Sequence, residues 1–327
     1  MPDLPSPRKP PRRFWLYAPY GLFLALAFVW SLAWLVVRGQ AVERLDQTAA
    51  RLRSQGWTVI WSDRRLDGYP FRLHLRLDAP QIREPSGWAI AAPALEAEAY
   101  AYAPDHWVVV APSGVSLTRP GAGTVDLAGQ GLRASLSPAP AGGALPQIAV
   151  QGWKLAATAL PDSRPLPVAQ ADKFAFYLRD LPGDQAEFQL QLEGAIAQPG
   201  GVLEQISGKQ PLALVWDETF DHASALRGPA WPVAVRAWSR AGGGLSLTHG
   251  EIDSGEVTMT ARSGRLQVDE AGYLAGDFNL DLRHARAAPQ RMGAELGMAA
   301  LAGGDLSLGG GKARLGPFVI GKAPKVY

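Results

Sequence analysis

The sequence predicts a mainly β protein, with antiparallel meanders forming a curved sheet or a two-sheet body, an N-terminal transmembrane helix and one or two accessory helices. Three observations predict it. Residues 14–37 are 24 consecutive uncharged and mostly apolar positions, short stretches of alternating apolar and polar residues recur along the rest of the chain, and Gly-bearing turns separate many of these stretches. A βαβ arrangement would instead need long helical crossovers between strands.

The uncharged run comes first. As a helix it reaches about 36 Å, enough to cross a hydrocarbon layer of about 30 Å. Phe14, Trp15, Tyr17 and Tyr20 lie at one end and Trp30 and Trp34 near the other, where amphipathic rings settle at membrane surfaces. Pro19 falls in the first turns, where its missing donor costs least. Two readings of the run stand. A retained anchor is favoured by a length beyond that of a signal-peptide core; a cleaved secretory signal is suggested by the small residues of Gly39-Gln40-Ala41. Residues 1–13 form a basic tail, with Arg8, Lys9, Arg12 and Arg13 against Asp3. The positive-inside rule keeps that tail cytoplasmic and sends residues 38–327 outward, so the expected location is the inner (cytoplasmic) membrane, single-pass, with the bulk periplasmic.

Residues 38–55 lack Gly beyond position 39 and place Val42, Leu45, Ala49 and Leu52 on one side, which predicts an amphipathic helix continuing from the anchor and stopped by Gly56. After Gly56 the period becomes two. Phe71, Leu73, Leu75 and Leu77 alternate with Arg72, His74 and Arg76, so an extended strand carries a candidate apolar face on one side and a small basic stripe on the other. That stripe could meet lipid headgroups or an acidic partner, although a solvated strand face is the commoner explanation. Further strands are expected at 107–110, 174–178, 188–192, 212–216, 245–252, 257–261, 266–268 and 278–282. Turns are expected at 241–244, 253–255, 263–264 and 270–272, a short helical turn within 217–226, and a helix over 288–301 closed by Gly303-Gly304. Gly-Trp pairs at 56–57, 87–88 and 152–153 hint weakly at duplicated strand units. The Pro- and Gly-rich segment 137–146 reads as a linker or long surface loop between a first β-rich part, 56–136, and a second, 147–327.

Composition limits the function classes. Hydrophobic residues make up 47% of the 327 positions and charged ones 19%, a balance that supports a packed body rather than a disordered chain. Beyond the basic tail, 28 bases face 29 acids, so no clustered positive charge offers itself to a nucleic acid. The absence of Cys excludes disulfides, thiolate nucleophiles and Cys-based zinc sites. Five scattered histidines make no HExxH or similar spacing, and no Walker loop or Gly-x-Ser-x-Gly elbow occurs. Asp217, Glu218, Asp221 and His222 are the closest local ligand cluster and fit a solvated polar turn better than a metal site. No catalytic, cofactor-binding or metal-ligating residue is therefore expected, and neither is a cofactor.

Several motifs remain: Gly56-Trp57 followed by Trp61; Gly68-Tyr69-Pro70-Phe71-Arg72 leading into the alternating strand; and Leu315-Gly316-Pro317-Phe318 near the C-terminus. Together with the basic tail, anchor and following helix they resemble an uncharacterised, alphaproteobacterial-type family of single-pass envelope proteins. In architecture that family is similar to AsmA-like proteins, an inner-membrane anchor followed by a periplasmic β body. The resemblance implies a part in envelope maintenance and lipid traffic, with no catalytic residue to transfer. The expected function is handling of lipid or another apolar ligand, with membrane lipids as partners. A non-enzymatic envelope scaffold that binds a protein partner is the other reading.

Overall fold

A computed structural model describes residues 14–255, 257–283 and 304–327. The chain begins with α1, Phe14–Ser54, a single unbroken helix of 41 residues that carries both the apolar run and the amphipathic continuation. Its last turn closes on Gly56, whose φ of 88° suits the reversal: Gly56 N–H bonds the Arg53 carbonyl and Trp57 N–H bonds that of Leu52. The helix expected at 288–301 lies outside the described residues.

Everything after α1 is dominated by strands in one open sheet, nineteen of them among the described residues. This decides between the two expected arrangements in favour of a single sheet. Its pivot is β9, Gly123–Ser137, which pairs along one edge with β10, Gln147–Ala159. The other edge of β9 forks. Its C-terminal half pairs with β7, Ala103–Val110, followed by β6, Ala94–Tyr100, then β3, Arg72–Asp78, then β2, Asp63–Asp67. Its N-terminal half pairs with β8, Val115–Arg119, followed by β5, Ala89–Ala91, β4, Gln81–Arg83, and β1, Thr58–Ile60. Gly129 and Gly131 sit at the fork, where side chains of Leu155 and Trp153 fill the space that a Cβ would need. Residues 138–146 join β9 to β10 inside one hairpin, in which Ser137 pairs with Gln147.

From β10 onward the sheet is a plain antiparallel meander: β11, Val168–Leu181; β12, Gln185–Ala197; β13, Leu212–Asp221; β14, Leu245–Asp253; β15, Thr258–Val268; β16, Leu274–Arg283; β17, Gly304–Gly309; β18, Lys312–Leu315; and β19, Phe318–Lys322. The alternating stretches at 107–110, 174–178, 188–192, 212–216, 245–252 and 278–282 all fall in these strands. One expected turn is a strand, and the turn at 241–244 leads from a helix into a strand rather than between two strands. Ser263-Gly264 lies inside β15, where a register shift after Ala261 absorbs the irregularity and Gly264 lies under the Phe278 ring. Residues 241–244 follow α3, Trp231–Arg240, and Gly243 packs directly on the Trp238 ring. Small α2, Val202–Ser207, bridges β12 and β13.

One long-range contact ties the two arms of the fold together. Ala230, which precedes α3, has no side chain able to cap the helix. Glu84, in the turn between β4 and β5, accepts the Trp231 N–H in its place and also accepts the Ser86 hydroxyl at 2.6 Å. A carboxylate here satisfies an orphan donor and meets the positive end of the helix dipole. Trp57 reinforces the joint by donating its indole N–H to the Pro229 carbonyl at 2.7 Å, and Pro85 lies beside Gly56, 3.4 Å from where a Cβ would stand. Glu84→Ala should lower stability by about 1 to 2 kcal/mol, the range for a lost helix cap, read as a smaller denaturant midpoint, while Glu84→Gln, which keeps an acceptor, should lose less.

Candidate functional site

Two regions carry the residues singled out above, and the first is the junction between helix and sheet. Trp30 donates its indole N–H to the Pro70 carbonyl at 2.9 Å, Trp34 to that of Arg72 at 3.0 Å, and Arg38 Nε to that of Leu66 at 3.1 Å. Tyr69 shares a hydrogen bond of 2.8 Å with the Ser31 hydroxyl and meets the Trp34 ring edge-on at 5.4 Å. Spacings of 4, 4 and 3 residues between 30, 34, 38 and 41 keep these groups near one helical face. The loop is shaped to receive them: Gly68 has φ 104°, a Cβ there would lie 2.7 Å from the Arg72 carbonyl oxygen, and Arg72 N–H closes the turn onto Gly68. The Gly68-Tyr69-Pro70-Phe71-Arg72 motif is thus the socket for the helix.

The candidate apolar face of β3 lies against the same helix. Leu73 is fully buried in a cluster with Trp34, Leu66 and Ala101, and Leu75 packs onto it, as do Val37, Ala41 and Val42 of α1. Leu77 is half-buried, while Phe71 precedes the strand and stays exposed. On the opposite face the basic stripe is neutralised by acids of β2, β3 and β6: Arg72 pairs with Glu98 at 3.2 Å, His74 with Asp67 at 3.1 Å, and Arg76 with Asp78 and Glu96 at 3.0 Å each. No free basic patch is left there for a headgroup. Trp61 lies under Arg53 and Arg64, and Gly316-Pro317 forms the tip of the β18–β19 hairpin.

The second region escaped the sequence reading as a unit. Directly opposed residues lie on the same face of a sheet, so the registers of the meander define a row: Val150, Phe176, Leu190, Trp216, Gly250 and Ala261. A neighbouring row runs through Gly152, Phe174, Leu192, Leu214, Ile252 and Met259, and another through Ile148, Leu178, Phe188, Glu218 and Leu247. The reverse face presents Gln189, Asp217 and His249. Apolar side chains therefore line one face continuously over at least six strands.

Among the described residues this face is packed against helices at its ends and only half-buried between them. At one end Val235 and Trp238 of α3 pack over Ala186, Phe220 and Val268; at the other Leu203 of α2 packs near Ala195, Ala197 and Leu212. Among the described residues these clusters draw only on positions 144–327, so neither arm of the forked half lies over them. Val150, Phe176 and Leu190 are half-buried and belong to none of the buried clusters. Beside them Trp216 lies across Gly250 and Phe278 across Gly264, since a Cβ at either glycine would be within 3 Å of the ring, and the two rings meet edge-on at 5.7 Å. Rings laid over glycine backbone give that side of the strip low relief.

Asp217 and Glu218 lie in β13 with side chains on opposite faces, Asp221 ends the strand, and the expected helical turn is reduced to a 3₁₀ turn at Ala223–Ala225. Among the described residues no group of three His, Cys, Asp or Glu is placed to hold a metal. Glu218 is a buried carboxyl on the apolar face; burial raises its pKa above the ordinary 4.5, and a hydrogen bond from Trp216 partly offsets this. An open cleft of about 740 Å³ also lies at the joint between the arms, lined by Trp57, Glu84, Trp88, Leu226, Ala234 and Val326 among others.

Fold and site together define a β-sheet protein carried on one N-terminal helix long and apolar enough to span a membrane, with a mean hydropathy of 2.1 in its most apolar window. Residues 34–324 match a family described as an uncharacterised protein conserved in bacteria, DUF2125, and the chain belongs to that family. No curated protein and no solved structure matches it.

Two outcomes follow from these contacts. Trp30→Phe and Trp34→Phe each remove an indole donor while keeping an aromatic ring, and each should cost about 1 kcal/mol, seen as a lower thermal midpoint of the detergent-solubilised full chain. For Glu218 the folded pKa lies above the unfolded one, so its contribution is complete below about 4.5 and fades as pH rises through the raised value. Glu218→Gln should therefore raise the thermal midpoint at neutral pH more than at pH about 4; equal shifts at both would contradict the assignment.

Proposed function

We propose that this protein binds lipid or another apolar ligand on the apolar face of its meander, at the outer surface of the bacterial inner membrane, as part of envelope maintenance. The observation that carries this reading is the strip of Val150, Phe176, Leu190 and Trp216: an apolar surface walled by α2 and α3 at its ends, in which Val150, Phe176 and Leu190 are half-buried and join none of the buried clusters among the described residues. Burial of ten methylenes there would supply about 8 kcal/mol before ordering costs. The helix that holds the sheet beside a bilayer supplies the ligand at high local concentration. In this reading the basic tail stays cytoplasmic, the sheet is periplasmic, and the protein works by binding rather than by catalysis. The likeness to AsmA-like proteins lies in the same plan, an anchor with a β body.

A second reading, a scaffold for a protein partner, has support in the sheet edges. Strands β1, β2 and β19 each pair on one side only among the described strands, and a free edge can accept an added strand.

Mass spectrometry of the purified full chain should find co-extracted lipid, and Leu190→Asp, which puts a charge in the middle of the strip, should reduce it by about tenfold or more while leaving the circular dichroism unchanged. Equal lipid in both proteins would remove the strip as the binding surface. Crosslinking in cells that captures a protein through β19 and no lipid would favour the scaffold.

A further inference from the structure

The helix socket has an outer side that the fold does not use. Two turns lie together there. Residues 68–71 lead into β3, and residues 101–102 join β6 to β7; the Ala101 N–H bonds the Phe71 carbonyl at 2.9 Å and Tyr100 pairs in register with Arg72. Four aromatic side chains project from this pair of turns: Tyr69, Phe71, Tyr100 and Tyr102, with 56%, 60%, 50% and 68% of their surface exposed. Tyr100 and Tyr102 stack on each other at 5.0 Å, and Phe71 lies 5.9 Å from the Trp30 ring. No charged residue occurs between Gly68 and Phe71 or between Ala99 and Pro104. Four large exposed rings on two adjoining turns exceed the scattered apolar residues of an ordinary surface.

Their height relative to α1 identifies what covers them. The indole bonds hold Pro70 level with Trp30 and Arg72 level with Trp34. The first charge after the apolar run is Arg38, eight residues beyond Trp30, so the turn lies about 12 Å on the membrane side of that charge. On the far side of the helix at the same height, Leu32, Leu35 and Val36 are 48%, 55% and 57% exposed, an apolar surface within the run long enough to cross a membrane and suited to lipid. A bilayer deep enough to cover those three residues also reaches the four rings.

We propose that Tyr69, Phe71, Tyr100 and Tyr102 form a tip of the sheet that inserts into the headgroup and upper acyl region of the same bilayer that α1 crosses. Phenol and phenyl rings suit this layer, with an apolar body and, for tyrosine, a polar end. The tip and α1 together make two points of attachment. They fix the depth of the sheet and its rotation about the helix axis, which a single helix leaves free.

The native chain has no Cys, so single labels can be introduced without other changes. Spin labels at Tyr102→Cys and Phe71→Cys would be compared with Leu26→Cys on the exposed middle of α1 and Asp162→Cys on the exposed turn after β10. Each full-length protein would be reconstituted in vesicles of phosphatidylethanolamine and phosphatidylglycerol. Relaxation by oxygen, which partitions into lipid, should exceed that by a water-soluble nickel chelate at 26, 71 and 102, with the reverse at 162. The ratio at 71 and 102 should fall between those at 26 and 162. Labels at 71 and 102 that match the label at 162, in protein whose label at 26 reads as lipid-buried, would overturn the proposal while leaving the anchor intact. Aqueous access at 71 and 102 with dipolar broadening would assign the rings to a second copy and overturn it as well. An aqueous label at 26 would overturn both the anchor and the tip.

Discussion

Two indole N–H groups on one face of α1 decide how the rest of the molecule is presented. Trp30 and Trp34 reach the carbonyls of Pro70 and Arg72, and the fully buried Leu73 closes the space behind them. Each indole packs its apolar ring against the sheet and needs a partner for its one N–H, which the strand-entry carbonyls supply. The contact fixes the sheet against the side of α1, so the apolar face of the meander has a set orientation relative to the helix.

The meander beyond β9 solves a different problem. Consecutive antiparallel strands with strict alternation generate one apolar face across the whole sheet, and a soluble fold normally buries such a face under a second layer. Here, among the described residues, the cover comes at the ends, from α2 and α3, and from aromatic rings lying on glycine strands. The Glu84 cap on α3 makes one of those end walls of the meander dependent on the branch of the fork that contains β4 and β5. Closure of the sheet end and attachment of the N-terminal arm are therefore one structural event.

How far the sequence could be read depended on residue size. Strands with Phe, Leu, Val or Trp at alternate positions announced themselves, as in 188–192 and 212–216. The longest strand, β9, and its partner β10 did not, because Gly, Ala and Ser fill many of their positions and give weak alternation. Ser263-Gly264 looked like a turn by composition and lies inside a strand, just after a register shift and with the Phe278 ring above it. The aromatic and Gly-Pro motifs were visible as motifs, but their partners were not: Tyr69 and Pro70 meet residues about forty positions earlier, and Trp57 meets Pro229.

The sequence alone settled what is local: a helix of membrane-spanning length, its amphipathic continuation to Gly56, and the period-two strands that make a β protein, since each depends on residues a few positions apart. Tertiary structure decided which alternating stretches line up, because cross-strand register is set by bulges and turns, and one residue of slip sends a row to the other face. It decided that β3 is covered by α1 while the strip through Phe176 and Leu190 stays half-buried and outside the buried clusters among the described residues. It also decided that the basic stripe is neutral, because the acids that pair with it come largely from neighbouring strands.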